Sequence, residues 1–142
     1  MQLYQVSSTG SEHFYPPNTH LSVNKGSGPQ VAYVRANSKI SQMVPTILSQ
    51  ERNYALSAWI GYRADRSARP DGRITVTSST SQTVLLTQEI EGDSLIQGVF
   101  RQFEMAIPVS ATVEGEGLTI TLEILDEQGQ INFDLVELTI QA

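Results

Sequence analysis

The sequence predicts an all-β protein, an antiparallel β-sandwich of the jelly-roll type, and two features support this prediction. From residue 30 onward, apolar and polar residues alternate in short segments, which is typical of strands buried on one face only. Turn-forming residues separate these segments, as in Pro70-Asp71-Gly72. With 142 residues and no cysteine, the chain fits one domain, residues 1–142, without a disulfide framework.

The predicted strands follow one another at regular spacing. In one of them Leu118 and Ile120 alternate with Thr119 and Thr121, which is the period of a half-buried strand. The predicted segments are 28–36, 39–44, 53–63, 73–79, 83–90, 99–107, 118–125 and 129–140. Residues 1–28 are rich in Ser, Gly, Pro and Asn, which predicts a loop-rich segment or an edge strand.

Charge and hydropathy exclude several classes of partner. The net charge of −6 has the wrong sign for binding nucleic acid through its phosphates. No apolar stretch approaches the length that crosses a bilayer. The first residues contain no basic segment followed by an apolar run, so they predict no signal peptide.

Few residues offer the usual catalytic chemistry. The histidines are His13 and His20, and they lack the spacing of a zinc hydrolase. The sequence contains neither a nucleophile elbow nor a glycine-rich phosphate loop. The residues by themselves therefore lean towards a protein without catalytic activity.

The strongest candidates for ligand contact lie on predicted strand faces. Trp59 falls on the face opposite the apolar residues of its segment, beside Ser57, Gly61 and Arg63. An aromatic ring among small and polar residues can stack on a sugar, or it can pack under a loop. Gln42 shares a face with apolar neighbours, so it either lines a pocket or bonds to the backbone. The candidate ligand-binding residues are Trp59, Arg63, Gln42, Tyr33 and Tyr62.

Asp134 is the unusual residue of the closing segment GQINFDLVELTI. Unbroken alternation places it in line with Val136 and Leu138, on the face that should be buried. A buried carboxylate must be paired, hydrogen-bonded, bound to a metal or protonated. Asp134 is therefore a candidate calcium ligand, a candidate general acid, or a cap for loop amides, and the three alternatives stay open.

Two stretches resemble a known group of domains. The run QVAYVRANSKISQMVPTILSQERNYALSAWIGYR resembles part of bacterial jelly-roll domains of carbohydrate-binding-module type, and the closing INFDLVEL is similar to their final "FDnVrL" strand. Within this group the similarity is greatest to cyanobacterial domains related to the hapalindole-type indole-terpenoid (Stig) cyclases and to anchored extracellular proteins. It spans roughly residues 28–140.

The resemblance implies a calcium-stabilised β-sandwich with an extracellular or periplasmic location. In the cyclases the Asp of the "FD" motif is a proton donor, and this role would fall on Asp134. The sequence departs from the pattern at Leu135, where Asn or Asp is common, and in the N-terminal strand, where the usual "sFE"-like metal ligands are not recognisable.

The function predicted from sequence is a noncatalytic binding module for carbohydrate, stabilised by calcium at Asp134. The alternative is a small-molecule cyclase with Asp134 as general acid in an apolar pocket with Tyr33, Tyr62 or Phe100. A purely structural or assembly domain is a third possibility, and homodimer formation stays open. A shallow groove with Trp59 exposed would favour sugar binding, and an enclosed apolar cavity would favour cyclisation.

Overall fold

The protein was analysed as a computed structural model that describes residues 11–14, 31–35, 39–44, 46–62, 69–126 and 129–141. The strands in these ranges are β1 (Ser11–Phe14), β2 (Val31–Arg35), β3 (Lys39–Val44), β4 (Asn53–Gly61), β5 (Gly72–Ser78), β6 (Val84–Ile90), β7 (Arg101–Ile107), β8 (Leu118–Ile124) and β9 (Gln130–Gln141). Two short 3₁₀ turns, Gly92–Ser94 and Ala111–Val113, lie in the connections that flank β7.

The strands form two sheets. The five-stranded sheet has the order β1-β2-β9-β4-β7, and the four-stranded sheet has the order β3-β8-β5-β6. All the described pairings are antiparallel, so the predicted all-β antiparallel sandwich is confirmed. β1 lies at the edge of its sheet. Within the described ranges, no helix is long and apolar enough to span a membrane.

The core lies between the two sheets and follows the alternation of the sequence. Leu56 and Ile60 of β4 are fully buried, and so are Ile74 of β5 and Ile120 and Leu122 of β8. Full burial of one such side chain contributes roughly 1.5–3 kcal/mol to folding. The apolar face of each strand therefore decides which side of the sheet turns inward.

The pairing of β4 with β9 contains a β-bulge. Ser57 pairs with Glu137, and Trp59 pairs with Asp134. Two residues of β9 thus lie opposite a single residue of β4. An extra residue on one strand shifts the alternation of everything beyond it by one position.

The bulge changes which residues of β9 face the core. Val136 is buried on one side of it, and Ile131 and Phe133 are buried on the other. Unbroken alternation predicted Asp134 in line with Val136, and that prediction is wrong. Because directly paired residues share a face of the sheet, Asp134 occupies a position on the face that carries Trp59. We call this side of the five-stranded sheet, turned away from the four-stranded sheet, the outer face.

Candidate functional site

Four neighbouring positions on the outer face form the centre of the site. Trp59 of β4 pairs with Asp134 of β9, and Gly61 pairs with Asn132 one step further along. Directly opposite residues of antiparallel strands have Cβ atoms roughly 4.5–5.5 Å apart. We call these four residues the outer-face quartet. Trp59, Asp134 and Asn132 occupy three corners of this square of adjoining positions, and Gly61, which has no side chain, occupies the fourth.

A cavity of about 510 Å³ adjoins Trp59 on its β7 side. This volume falls within the range of roughly 300–1,000 Å³ that small-molecule sites occupy. The lining residues are Trp59, Ser94, Leu95, Ile96, Val99, Phe100, Arg101 and Gln102. Much of this wall is apolar or aromatic, which suits the hydrocarbon part of a ligand. Trp59 borders the cavity on one side and the position of Asp134 on the other.

The loop between β6 and β7 supplies most of the cavity wall, and backbone contacts hold it in place. The Gly98 N–H donates to the Tyr62 carbonyl at 2.8 Å. The Arg69 Nη1 donates to the Leu95 carbonyl at 2.8 Å. These bonds attach the loop to segments well separated from it in sequence, so the cavity wall depends on the tertiary fold.

Asn132 is the most unusual polar residue of the quartet. It is fully buried although it lies on the outer face. Its Oδ1 accepts a hydrogen bond from Gln130 Nε2 at 2.9 Å, whereas its Nδ2 has no partner among the residues that the structure describes. Gly61, on the same face, is also buried. This part of the outer face is therefore shielded from solvent, which differs from an open sugar-binding groove.

The family of the chain follows from its sequence match. The family model for HpiC1-like proteins, described as HpiC1 cyclase, matches residues 3–139. This chain belongs to the HpiC1-like cyclase family. Among curated proteins, none matches the sequence.

Solved structures support the fold of this HpiC1-like protein. The Stig cyclase Fisc from Fischerella sp. TAU, in complex with (3Z)-3-(1-methyl-2-pyrrolidinylidene)-3H-indole, is 21% identical with a TM-score of 0.73, over 92% of this chain and 74% of that one. A cyclase from Fischerella sp. TAU in complex with 4-(1H-indol-3-yl)butan-2-one is 20% identical with a TM-score of 0.75, over 98% and 80%. The xylan-binding CBM22-1 domain of Paenibacillus barcinonensis Xyn10C is 16% identical with a TM-score of 0.58, over 94% and 83%.

These matches correct the main functional prediction. The interpretation as a noncatalytic carbohydrate-binding module is wrong, because the family model that matches the chain describes a cyclase. The xylan-binding domain has the same jelly-roll sandwich, which explains why the resemblance pointed in two functional directions. The resemblance to the Stig cyclases is confirmed.

The residues predicted to contact a ligand fall at different places in this HpiC1-like sandwich. Trp59 is partly buried and lines the cavity. Tyr33 lies in β2, where its backbone pairs with Asn132, so its position is on the outer face. Gln42 lies in β3 of the other sheet, away from the quartet. Arg63 falls outside the described residues.

Phe100 and Tyr62 were predicted as alternatives for the cyclase pocket, and their places in the structure differ. Phe100 lines the cavity. Tyr62 is fully buried, and its hydroxyl donates to the Pro70 carbonyl at 2.6 Å. Burial, aided by the negative charges of Asp71 and Asp126, raises the pKa of the Tyr62 hydroxyl well above its ordinary value. The Tyr62 hydroxyl thus connects the end of β4 to Pro70, just before β5.

The raised pKa of Tyr62 predicts a loss of stability at high pH. Above about pH 10, the ordinary pKa of tyrosine, the folded state binds more protons than the unfolded state, so the free energy of unfolding falls as pH rises. Tyr62→Phe should cost roughly 1–2 kcal/mol at neutral pH and flatten this alkaline fall. Urea unfolding between pH 8 and 11 measures both effects. Tyr54→Phe is the control that retains Tyr62, and equal alkaline slopes in wild type and Tyr62→Phe would contradict the prediction.

Calcium is not placed by the described residues. Within these ranges, no group of three or more His, Cys, Asp or Glu side chains could hold a metal ion. Only the backbone of Asp134 is described, and the N-terminal strand expected to supply other ligands lies largely outside the described residues. Calcium binding at Asp134 stays a prediction from the resemblance, and the proposed reaction does not use calcium.

Proposed function

We propose that this HpiC1-like protein is a small-molecule cyclase for an indole-bearing substrate, with Asp134 as the general acid. The observation that carries this proposal is the bulge of β9, which pairs Asp134 with Trp59 beside the cavity. The family match supports the reaction class. The indole ligands of the Stig cyclase structures support the substrate class.

The proposed reaction begins with a proton from the Asp134 carboxyl group. The proton adds to a carbon–carbon double bond of the substrate and leaves a carbocation. A second π bond of the same molecule attacks the cation, which forms a new carbon–carbon bond and closes a ring. Loss of a proton back to the carboxylate completes the cycle. The product is an isomer of the substrate, so no co-reactant is needed.

The position of Asp134 in the register favours this role. A carboxyl group can act as a general acid towards a substrate that lies next to it. The ring of Trp59 occupies the position paired with Asp134.

Aromatic residues supply the second part of the mechanism. Trp59 and Phe100 both line the cavity. The face of an aromatic ring attracts a cation, and apolar walls exclude the water that would trap it. We place the indole of the substrate against Trp59, at the edge of the outer-face quartet, and its hydrocarbon chain in the cavity.

Binding and turnover test this proposal separately. Trp59 is the single Trp of the chain, so ¹⁵N-labelled protein gives one indole N–H signal. Unlabelled 4-(1H-indol-3-yl)butan-2-one should move that signal. An indole that carries an isoprenoid chain should be converted into a product of equal mass and different retention in chromatography. Val84→Ala, at an exposed position of β6, is the control that retains both activities. Absence of both the shift and the product would contradict the proposal.

A further inference from the structure

The side chain of Asn132 carries an N–H donor to which the proposed reaction assigns no role. Asn132 is fully buried, and its Nδ2 has no hydrogen-bond partner within the described part of the chain. A buried donor without a partner is unfavourable and uncommon in folded proteins. Such a group persists where a ligand or a water supplies the missing acceptor.

A hydrogen bond from Gln130 sets the orientation of this amide. Gln130 Nε2 donates to Asn132 Oδ1 at 2.9 Å. Gln130 and Asn132 are two residues apart on the same strand, so they share the outer face. With its oxygen engaged by Gln130, the amide presents its N–H groups away from that bond. The donor is thereby held in place before a ligand arrives.

In the pairing of β4 with β9, the neighbours of Asn132 are residues of the proposed site. Gly61, its partner on β4, adds no side chain, and the next pair along is Trp59 with Asp134. An atom of a ligand that lies over Gly61 therefore adjoins the ring of Trp59, the position of the acid and the amide of Asn132. A sugar carries many polar groups and does not match a single buried donor. An apolar ligand with one hydrogen-bond acceptor does match it.

We propose that Asn132 is a specificity-determining residue whose Nδ2–H donates to a hydrogen-bond acceptor on the substrate, a carbonyl oxygen or an imine-type nitrogen attached to or contained in its indole-derived part. This inference rests on the proposed function, since it assigns one contact within the same site. A site built around a buried donor rejects analogues that lack the acceptor, because the donor is then left unpaired. We therefore expect the preferred substrate to be an indole derivative with an acceptor atom, and an analogue without that atom to bind more weakly.

A matched pair of ligands tests this contact. The probes are 4-(1H-indol-3-yl)butan-2-one, which has a ketone oxygen, and 3-butylindole, which has the same chain without it. Wild-type protein should bind the ketone about 10-fold more tightly. In Asn132→Leu, which removes the donor at similar volume, the two affinities should become equal within about twofold. Asn53→Leu, at an exposed position of β4, is the matched control and should keep the preference.

Thermal unfolding checks that Asn132→Leu is folded. The variant loses the hydrogen bond from Gln130 Nε2 as well as the unpaired donor, and these two effects on stability oppose each other. A cooperative unfolding transition together with a retained preference for the ketone would overturn the inference.

A measurement on the unmodified protein covers the case in which the variant does not fold. On addition of the ketone, one side-chain amide proton of Asn132 should move downfield in the ¹⁵N spectrum, and 3-butylindole should not move it. Equal shifts with both compounds would overturn the contact to Asn132 and leave the cyclase proposal standing. If neither compound binds the wild-type protein, the proposed function itself fails.

Discussion

Asp134→Asn is expected to lower turnover by about 10²–10⁴-fold, the usual contribution of a general acid. Asparagine keeps the shape of the side chain and cannot donate a proton at neutral pH. Because Asp134 occupies a position on the outer face and not in the core, the free energy of unfolding should change by less than about 1 kcal/mol. Binding of the indole ligand, followed at the Trp59 N–H signal, should remain.

The measurement is single-turnover kinetics at neutral pH, beside urea unfolding of the same samples. Glu137→Gln is the matched control, since Glu137 lies on the same strand and pairs with Ser57, outside the quartet. A stability loss that appears only with calcium would assign Asp134 to a metal site, and unchanged turnover would remove it from catalysis.

Gly92→Ala should be the most destabilising small change near the site, at about 3 kcal/mol. A Cβ at position 92 would lie 1.9 Å from the carbonyl oxygen of Arg69 and 2.6 Å from its carbonyl carbon. Both atoms belong to the backbone, so no side-chain rotation relieves the clash. The Gly92 N–H also donates to Asp71 Oδ1 at 2.9 Å, and displacement of the turn would break that bond.

Gly92→Ala should also disturb the cavity. The 3₁₀ turn at Gly92–Ser94 leads directly into the loop that lines it, so we expect weaker indole binding as well as lower stability. Gly117→Ala is the control, because its closest contact is the side-chain hydroxyl of Ser79 at 3.0 Å, which can rotate. Urea unfolding and ligand titration of both variants provide the comparison. A Gly92→Ala protein as stable as Gly117→Ala would refute this account of the turn.

The strands could be predicted because their alternation reflects burial on one face. In β8, Leu118 and Ile120 are fully buried, and Thr119 and Thr121 between them are partly exposed. Alternation contains no mark for an extra residue, however. The bulge in β9 is defined only by its pairing with β4, and so the face of Asp134 was predicted incorrectly.

The candidate site was predictable where a single strand determines it. Trp59 was placed on the correct face by alternation within β4, and the same alternation would have placed Tyr62 in the core, where it lies. The loop of the cavity wall offered no such signal, because it is positioned by contacts such as that between Arg69 and Leu95. Asn132 could have been noticed as an amide between the apolar residues Ile131 and Phe133. The periodicity could not separate a cyclase from a sugar-binding module, since both are built on this sandwich.

The bulge also indicates where this strand tolerates change over evolution. Val136 is buried in the core, so Leu135 is the residue in excess between the pairs Trp59–Asp134 and Ser57–Glu137. Loss of position 135 would leave both flanking pairs aligned, and a different residue there would disturb neither of them. A related chain can therefore vary at this position without moving Asp134. An insertion or deletion between Gln130 and Phe133 would not be tolerated in this way. It would exchange the side chains that face the core with those on the outer face.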